Sequence, residues 1–225
     1  MDLIYISVAM SLDGFIDDRS PDRLVLSSPE DIEDMYSKRA ECDAILIGAE
    51  TVRKDNPSLL FKRPHLVEQR LRNGLRPELI KVTLTKSGNL EAESKFFTTG
   101  DAPKIILCPA EAAVSIRERL GKVAEIITIN PLEPRSVISA LEGIGVRKLF
   151  IEGGTSVLTA FISARLFHRL RVAVAPFFVG DAAAPCFVGN ATFAHNKNNR
   201  LHLERTRRLG DMTVMEFVNN TGTRG

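Results

Sequence analysis

The chain has 225 residues, 44% hydrophobic and 26% charged, with a formal net charge of +2. That balance is ordinary for a globular protein and excludes both a strongly basic nucleic-acid binder and an acidic disordered chain. Three widely spaced cysteines, Cys42, Cys108 and Cys186, fit neither a disulfide framework nor a zinc site.

The cysteines read as thiols of a reducing compartment. Residues 1–6 lack the basic region of a signal peptide, and no apolar run is long enough to span a membrane. A cytoplasmic location is expected. In chain order, residues 3–10 alternate Ile4, Ile6 and Val8, which predicts a strand, and Asp13-Gly14 then predicts a turn. Ser28-Pro29-Glu30-Asp31 is a helix start, with a Ser cap, Pro at the first position and acids in the first turn. That helix should run to about Glu41. Residues 43–47 predict a buried strand closed by Gly48. Residues 50–57 predict a short helical turn and a loop, with Asn56 held extended by Pro57.

Residues 62–78 are polar and basic, with only a weak helical face (Leu66, Leu71, Leu75), and read as a solvated surface excursion. Strands are predicted at 79–84, 104–108, 125–129 and 147–151, and helices at 110–120 and 135–143. Strands and helices alternate, so the expected fold is α/β, a mainly parallel sheet covered by helices on both faces. The end differs. Residues 170–175 predict a strand, and residues 201–207 and 212–218 flank Leu209-Gly210-Asp211 as an antiparallel hairpin. One domain is expected over residues 1–218, with a flexible tail over 219–225.

The stretch 148–158 carries the most chemistry. An apolar strand ends in Glu152, followed by Gly153-Gly154, then Thr155-Ser156 and a helical pattern (Val157, Leu158, Phe161, Ile162). Glycines let backbone approach a ligand, Thr155 or Ser156 could cap the helix, and the N–H groups at its start favour an anion. The plainer reading of the glycine pair is a tight turn.

Four pieces then stand together: Ala9-Met10-Ser11-Leu12-Asp13-Gly14; residues 45–52 followed by Asp55-Asn56-Pro57-Ser58-Leu59; Phe150-Ile151-Glu152-Gly153-Gly154; and residues 174–180. In this order and spacing they resemble the reductase domain of the riboflavin-biosynthesis deaminase/reductase family, over about residues 3–218. The resemblance implies a dihydrofolate-reductase-like fold and NADPH-dependent reduction of a ribosylamino-pyrimidine 5′-phosphate to its ribitylamino form, by hydride transfer to C1′. The deaminase domain that precedes the reductase in many bacterial members has no counterpart here, so a stand-alone reductase is expected. The resemblance places Ala9, Thr51, Asp55, Gly153, Gly154, Thr155, Ser156 and Val157 at the cofactor. It places Ser27, Arg39, Leu59, Lys62 and Glu152 at the substrate, with Asp55 and Glu152 as the catalytic pair. It also implies a homodimer, for which residues 170–175 and the C-terminal strands are interface candidates.

Plainer roles stand beside these. Arg39 could be a cation at a helix C-terminus, Asp55 a cap and Glu152 a strand-end carboxylate. Several positions depart from the family pattern. Lys62 replaces an arginine expected at the phosphate, which exchanges a fork for a point charge. Arg23-Leu24-Val25-Leu26 lacks an aromatic residue, Thr85 replaces an Asp, and His168-Arg169 replaces an acidic pair. Lys86 could read the 2′-phosphate of NADPH. Two alternatives remain open: a dihydrofolate-reductase-like enzyme on another pterin or pyrimidine, and a non-catalytic NADP-binding protein. His65, His168, His195 and His202 show no metal-ligand spacing and read as surface residues.

Overall fold

The computed structural model describes residues 1–219. These hold, in chain order, β1 (Leu3–Ser11), α1 (Pro29–Arg39), β2 (Ala44–Gly48), α2 (Ala49–Asp55), α3 (Pro64–Arg72), β3 (Ile80–Leu84), α4 (Lys95–Thr98), β4 (Lys104–Cys108), α5 (Ala110–Leu120), β5 (Glu125–Thr128), α6 (Pro134–Gly143), β6 (Lys148–Gly153), α7 (Thr155–Ser163), β7 (Arg169–Ala175), β8 (His202–Leu209) and β9 (Met212–Val218). The expected α/β alternation and the antiparallel C-terminal hairpin are both present. The chain forms two compact units. One comprises Met1–Asp2 and Tyr36–Phe150; the other comprises Leu3–Met35 and the chain from Ile151 onward.

In the first unit β2, β3, β4 and β5 pair in that order, all parallel, with Ile45 opposite Lys81, Lys81 opposite Lys104 and Ile105 opposite Glu125. Every residue of β2 is buried, as its unbroken apolar run requires of a parallel strand covered on both faces. The crossover helices show helical apolar spacing: Ala113, Ile116 and Leu120 are buried on α5, and Val137 and Leu141 on α6. The Asp43 carboxylate accepts from the backbone N–H groups of Arg147 (2.8 Å) and Lys148 (2.7 Å), which fixes the entry to β2 beside the entry to β6.

The basic stretch 62–78 departs from expectation. It contains α3, opened by Pro64 at its first turn, and Arg70 on that helix is buried. The Arg70 guanidinium donates to the carbonyls of Ala40 (2.9 Å), Cys42 (2.6 Å) and Arg76 (2.8 Å). One arginine thus satisfies carbonyls just past the end of α1, which need partners once out of water. Basic composition pointed to solvent; the carbonyl acceptors bring this one cation inside.

In the second unit β1 pairs parallel with β7, which pairs antiparallel with β9, and β9 pairs antiparallel with β8. Of the interface candidates, β7 is thus an internal strand, whereas β8 is almost wholly exposed. Ser28 accepts from the Asp31 N–H (3.2 Å), and its hydroxyl lies 3.3 Å from the Leu209 carbonyl, so the cap of α1 also touches the hairpin. At the hairpin tip Gly210 has φ 61, and a Cβ there would fall 2.6 Å from the Glu30 carboxylate.

An ion cluster lies beside this hairpin. Arg171 is 1% exposed and donates to Asp31 (2.5 Å) and Asp34 (2.9 Å); Arg207 donates to both oxygens of Asp34 (2.7 and 2.9 Å) and to Glu216. Burial raises the Asp34 pKa, but hydrogen bonds and charge from Arg207 and Arg171 outweigh it, and the carboxyl sits below the usual range. Tyr5 is pushed up, by burial first and then by Glu216.

Asn219, expected to open a loose tail, is buried instead. Its side chain donates to the carbonyls of Arg165 (3.0 Å) and Phe167 (2.8 Å), and its carbonyl oxygen lies 3.0 Å from His195 Nε2. The rest of that expected tail lies outside the described residues. His195 and His168 are half-buried rather than at the surface; His168 Nδ1 accepts from the Ile4 N–H at 2.8 Å. His65 and His202 are exposed, as expected.

Arg171→Met leaves Asp31 buried without its cation and should cost about 3–5 kcal/mol of stability, read by urea unfolding at neutral pH; a loss under about 1 kcal/mol would contradict the role given to the cluster. Asp34 contributes stability above the ordinary carboxylate pKa and loses it as pH falls through its lowered folded value. Asp34→Asn should therefore be less stable than the parent at pH 7, and the gap should close in strong acid.

Candidate active site

The second unit carries the glycine turn. Gly153 has φ 136 and Gly154 φ 82, angles at which an L side chain is strained. Two residues suffice to turn the buried strand β6 into α7. Gly154 is the N-cap, and no side chain caps the helix. This corrects the expectation for Thr155 and Ser156: the Thr155 hydroxyl donates to the Cys186 carbonyl at 2.6 Å, and Ser156 is exposed. The first amides of α7 carry the partial positive charge of a helix start, and the N-cap glycine places no side-chain acceptor on them. Val157, Leu158, Phe161 and Ile162 bury the apolar face and fix the helix in place. Glu152 is half-buried two residues before this start.

Ala9 lies on β1 opposite Ala173 of β7 and packs on the cluster of Ala173, Ala175, Met212 and Val214. Just beyond it, the Ser11 hydroxyl donates to Asp13 (2.5 Å), and the Asp13 carboxylate accepts from the N–H groups of Val179 (3.1 Å) and Gly180 (2.8 Å). Asp13 thus ties the first sequence piece to the fourth. Its turn chemistry was legible; its second partner, far along the chain, was not. Ser27 is half-buried immediately before the cap of α1.

The first unit carries the other residues. Thr51 and Asp55 stand four apart on α2, hence on one face, and both are half-buried. Asn56 does not take the extended conformation expected before proline. It ends α2 in a left-handed conformation (φ 41, ψ 55), its N–H donating to the Val52 carbonyl, and its side-chain oxygen accepts from the Lys95 N–H at 2.6 Å. Asparagine tolerates this region, and its side chain has a partner there. Leu59 is buried with φ 56, an uncommon angle for a leucine. Such strain concentrates at ligand-holding segments.

Arg39, the last residue of α1, is buried with its guanidinium 4.9 Å from the centre of the Tyr36 ring. Arg63 approaches the same ring at 5.8 Å, and Phe61 meets it edge-on at 6.3 Å. Lys62 is exposed and Arg63 half-buried. Lys62 is the cation expected at the substrate; the ring contact belongs to its neighbour Arg63, and the chain alone does not signal it. Lys86 is exposed beyond β3, beside buried Thr85, whose hydroxyl accepts from the Gly88 N–H at 2.9 Å.

Comparison with known proteins gives these residues a context. The model of the RibD C-terminal domain matches residues 3–215. A protein of Archaeoglobus fulgidus named 2,5-diamino-6-ribosylamino-4(3H)-pyrimidinone 5′-phosphate reductase is 28% identical over 92% of this chain and 94% of its own length. One of the same name from Methanothermobacter thermautotrophicus is 26% identical, covering 96% of this chain and 97% of its own. Among solved structures, a pyrimidine reductase-like protein of Corynebacterium diphtheriae superposes with a TM-score of 0.79 at 23% identity, over 96% of this chain and 91% of the other. The chain therefore belongs to the RibD C-terminal domain family.

Proposed function

We propose that residues 1–218 act as a single NADPH-dependent reductase domain of riboflavin biosynthesis. The proposed substrate is a ribosylamino-pyrimidine 5′-phosphate, of the 5-amino-6-(5-phosphoribosylamino)uracil or diamino-pyrimidinone type. What carries this reading is the near end-to-end match to relatives named for that reaction. Bound NADPH would supply a hydride to C1′ of the ring-opened imine, while a proton reaches the adjoining nitrogen to leave the ribityl amine. The protein then has to orient, exclude water and manage one proton.

The uncapped start of α7, approached over two glycines, fits a dinucleotide pyrophosphate. Thr51 and Val157 would each contact the cofactor, Ala9 would leave room for the nicotinamide, and Lys86 would meet the 2′-phosphate. On the substrate, Arg39 with Lys62, and Arg63 beside them, suits a phosphate dianion. Glu152 would accept hydrogen bonds from the pyrimidine amino groups or ribose hydroxyls, Asp55 would assist the proton, and Leu59 and Ser27 would each contact the substrate. A homodimer and a cytoplasmic location complete the proposal. The first draws support from the exposed β8 edge. The second is consistent with the described residues, in which no helix is long and apolar enough to cross a membrane.

Mixing the protein, NADPH and the ribosylamino-pyrimidine phosphate should deplete the reduced-nicotinamide absorbance only when the pyrimidine is present. Asp55→Ala and Glu152→Ala should each slow this by about 100-fold or more. NADPH that binds but is never oxidised would overturn the proposal in favour of a sensor, and turnover of dihydrofolate alone would shift it to a pterin. Gly153→Ala should cost about 1–3 kcal/mol in a thermal melt through backbone strain and weaken NADPH binding by about tenfold in a titration; unchanged affinity would remove the glycine turn from the cofactor site.

A further inference from the structure

Lys81 occupies an apolar place. It is the second residue of β3, 1% exposed, between Ile45 of β2 and Lys104 of β4. A buried ammonium is tolerated only with partners for its three N–H donors. Lys81 Nζ has three acceptors: the Thr99 carbonyl (2.6 Å), the Thr99 hydroxyl (3.1 Å) and the Phe96 carbonyl (3.2 Å). All three belong to α4 and the residue after it. That segment in turn holds the loop that follows α2. At its start, the Lys95 N–H donates to the Asn56 side chain (2.6 Å). At its end, the Thr99 hydroxyl donates to the Lys95 carbonyl (2.5 Å) and lies 3.3 Å from the Ser58 carbonyl. One residue further, Gly100 (φ 70) lies against Leu60: an added Cβ would fall 2.7 Å from Leu60 Cδ2 and 2.2 Å from Glu78 Oε2.

We infer that Lys81 is a positioning residue: through α4, Thr99 and Gly100 it fixes the loop 56–60, and with it the side chains of Asp55 and Leu59. This rests on the reductase reading of Asp55 and Leu59. The left-handed backbone at Asn56 and Leu59 is what such a brace would hold, since those angles persist only where surroundings over-determine them. The charged groups around Lys81 are few. Burial pulls its pKa down to about 8, Lys104 pushes the same way, and Glu78 opposes both; the facing atoms of α4 and Thr99 are neutral carbonyls and a hydroxyl. As pH rises through about 8, Lys81 loses its charge and one donor, and the brace slackens. The sign for stability is opposite: the folded pKa lies below the free lysine value of 10.5, so the buried charge costs stability below pH 8, and that cost fades as pH climbs toward 10.

Lys81→Met tests this. The variant should melt at or above the parent temperature at pH 7, since a buried charge gives way to an apolar chain of similar length. It should nonetheless exchange the amides of 58–60 faster and raise KM for the pyrimidine phosphate about tenfold, with kcat less affected. The parent should lose kcat/KM above about pH 8, and the variant should lack that limb. Thr99→Val, which removes the hydroxyl and with it its contacts to Lys81, Ser58 and Lys95, should reproduce the exchange and KM effects in part; Thr99→Ser should return both to the parent values. Unchanged exchange and KM in Lys81→Met, or, if that variant fails to fold, in Thr99→Val, would overturn the inference. If the parent itself turns over no pyrimidine phosphate, the reductase reading falls, and amide exchange alone decides the brace.

Discussion

A buried strand that must become a helix within two residues needs backbone angles that only glycine takes without strain. Gly153 and Gly154 meet that need at φ 136 and 82, and much of the site follows from it. The glycine N-cap brings no side-chain oxygen of its own to the helix start, which is the feature that the proposed pyrophosphate site rests on. Thr155, released from capping, holds the chain at Cys186 instead. Glu152 is set at the strand end next to that helix start.

The second theme is the use of buried cations as ties. Arg70, Arg171 and Lys81 are each about 1% exposed, and each ends on acceptors from distant parts of its own unit. Arg70 gathers carbonyls past the end of α1; Arg171 pairs two carboxylates on that helix; Lys81 grips α4. A buried charge costs its hydration, so each is stable only while its partners stay in place. Such ties specify where loops lie more than they add to stability. The Lys81 tie is the one that reaches, through α4, the loop at 56–60, two of whose residues take left-handed backbone.

What the chain revealed by itself followed from periodicity and punctuation. The bounds of β4, α5 and β9 match their apolar patterns, and Pro29 opens α1 behind the Ser28 cap, as expected. The family was legible because its motifs are short and local. What the chain does not reveal is tertiary. α4 is only four residues long and shows no period. Arg70 and Lys81 have surface chemistry and buried positions, and only their acceptors explain them. Pro57 argued for an extended Asn56, and the hydrogen bond from Lys95 won. Lys62 and Arg63 are adjacent in sequence, and only the Tyr36 ring distinguishes them.

In the proposed reaction, hydride passes from a nicotinamide to the ribose carbon of a pyrimidine phosphate. The most direct measurement uses NADPH carrying deuterium at both C4 positions and locates the label in the product by mass spectrometry and NMR. The account predicts a ribitylamino product with a single deuterium, at C1′. A product with no label at C1′, or a label on the pyrimidine ring, would contradict it.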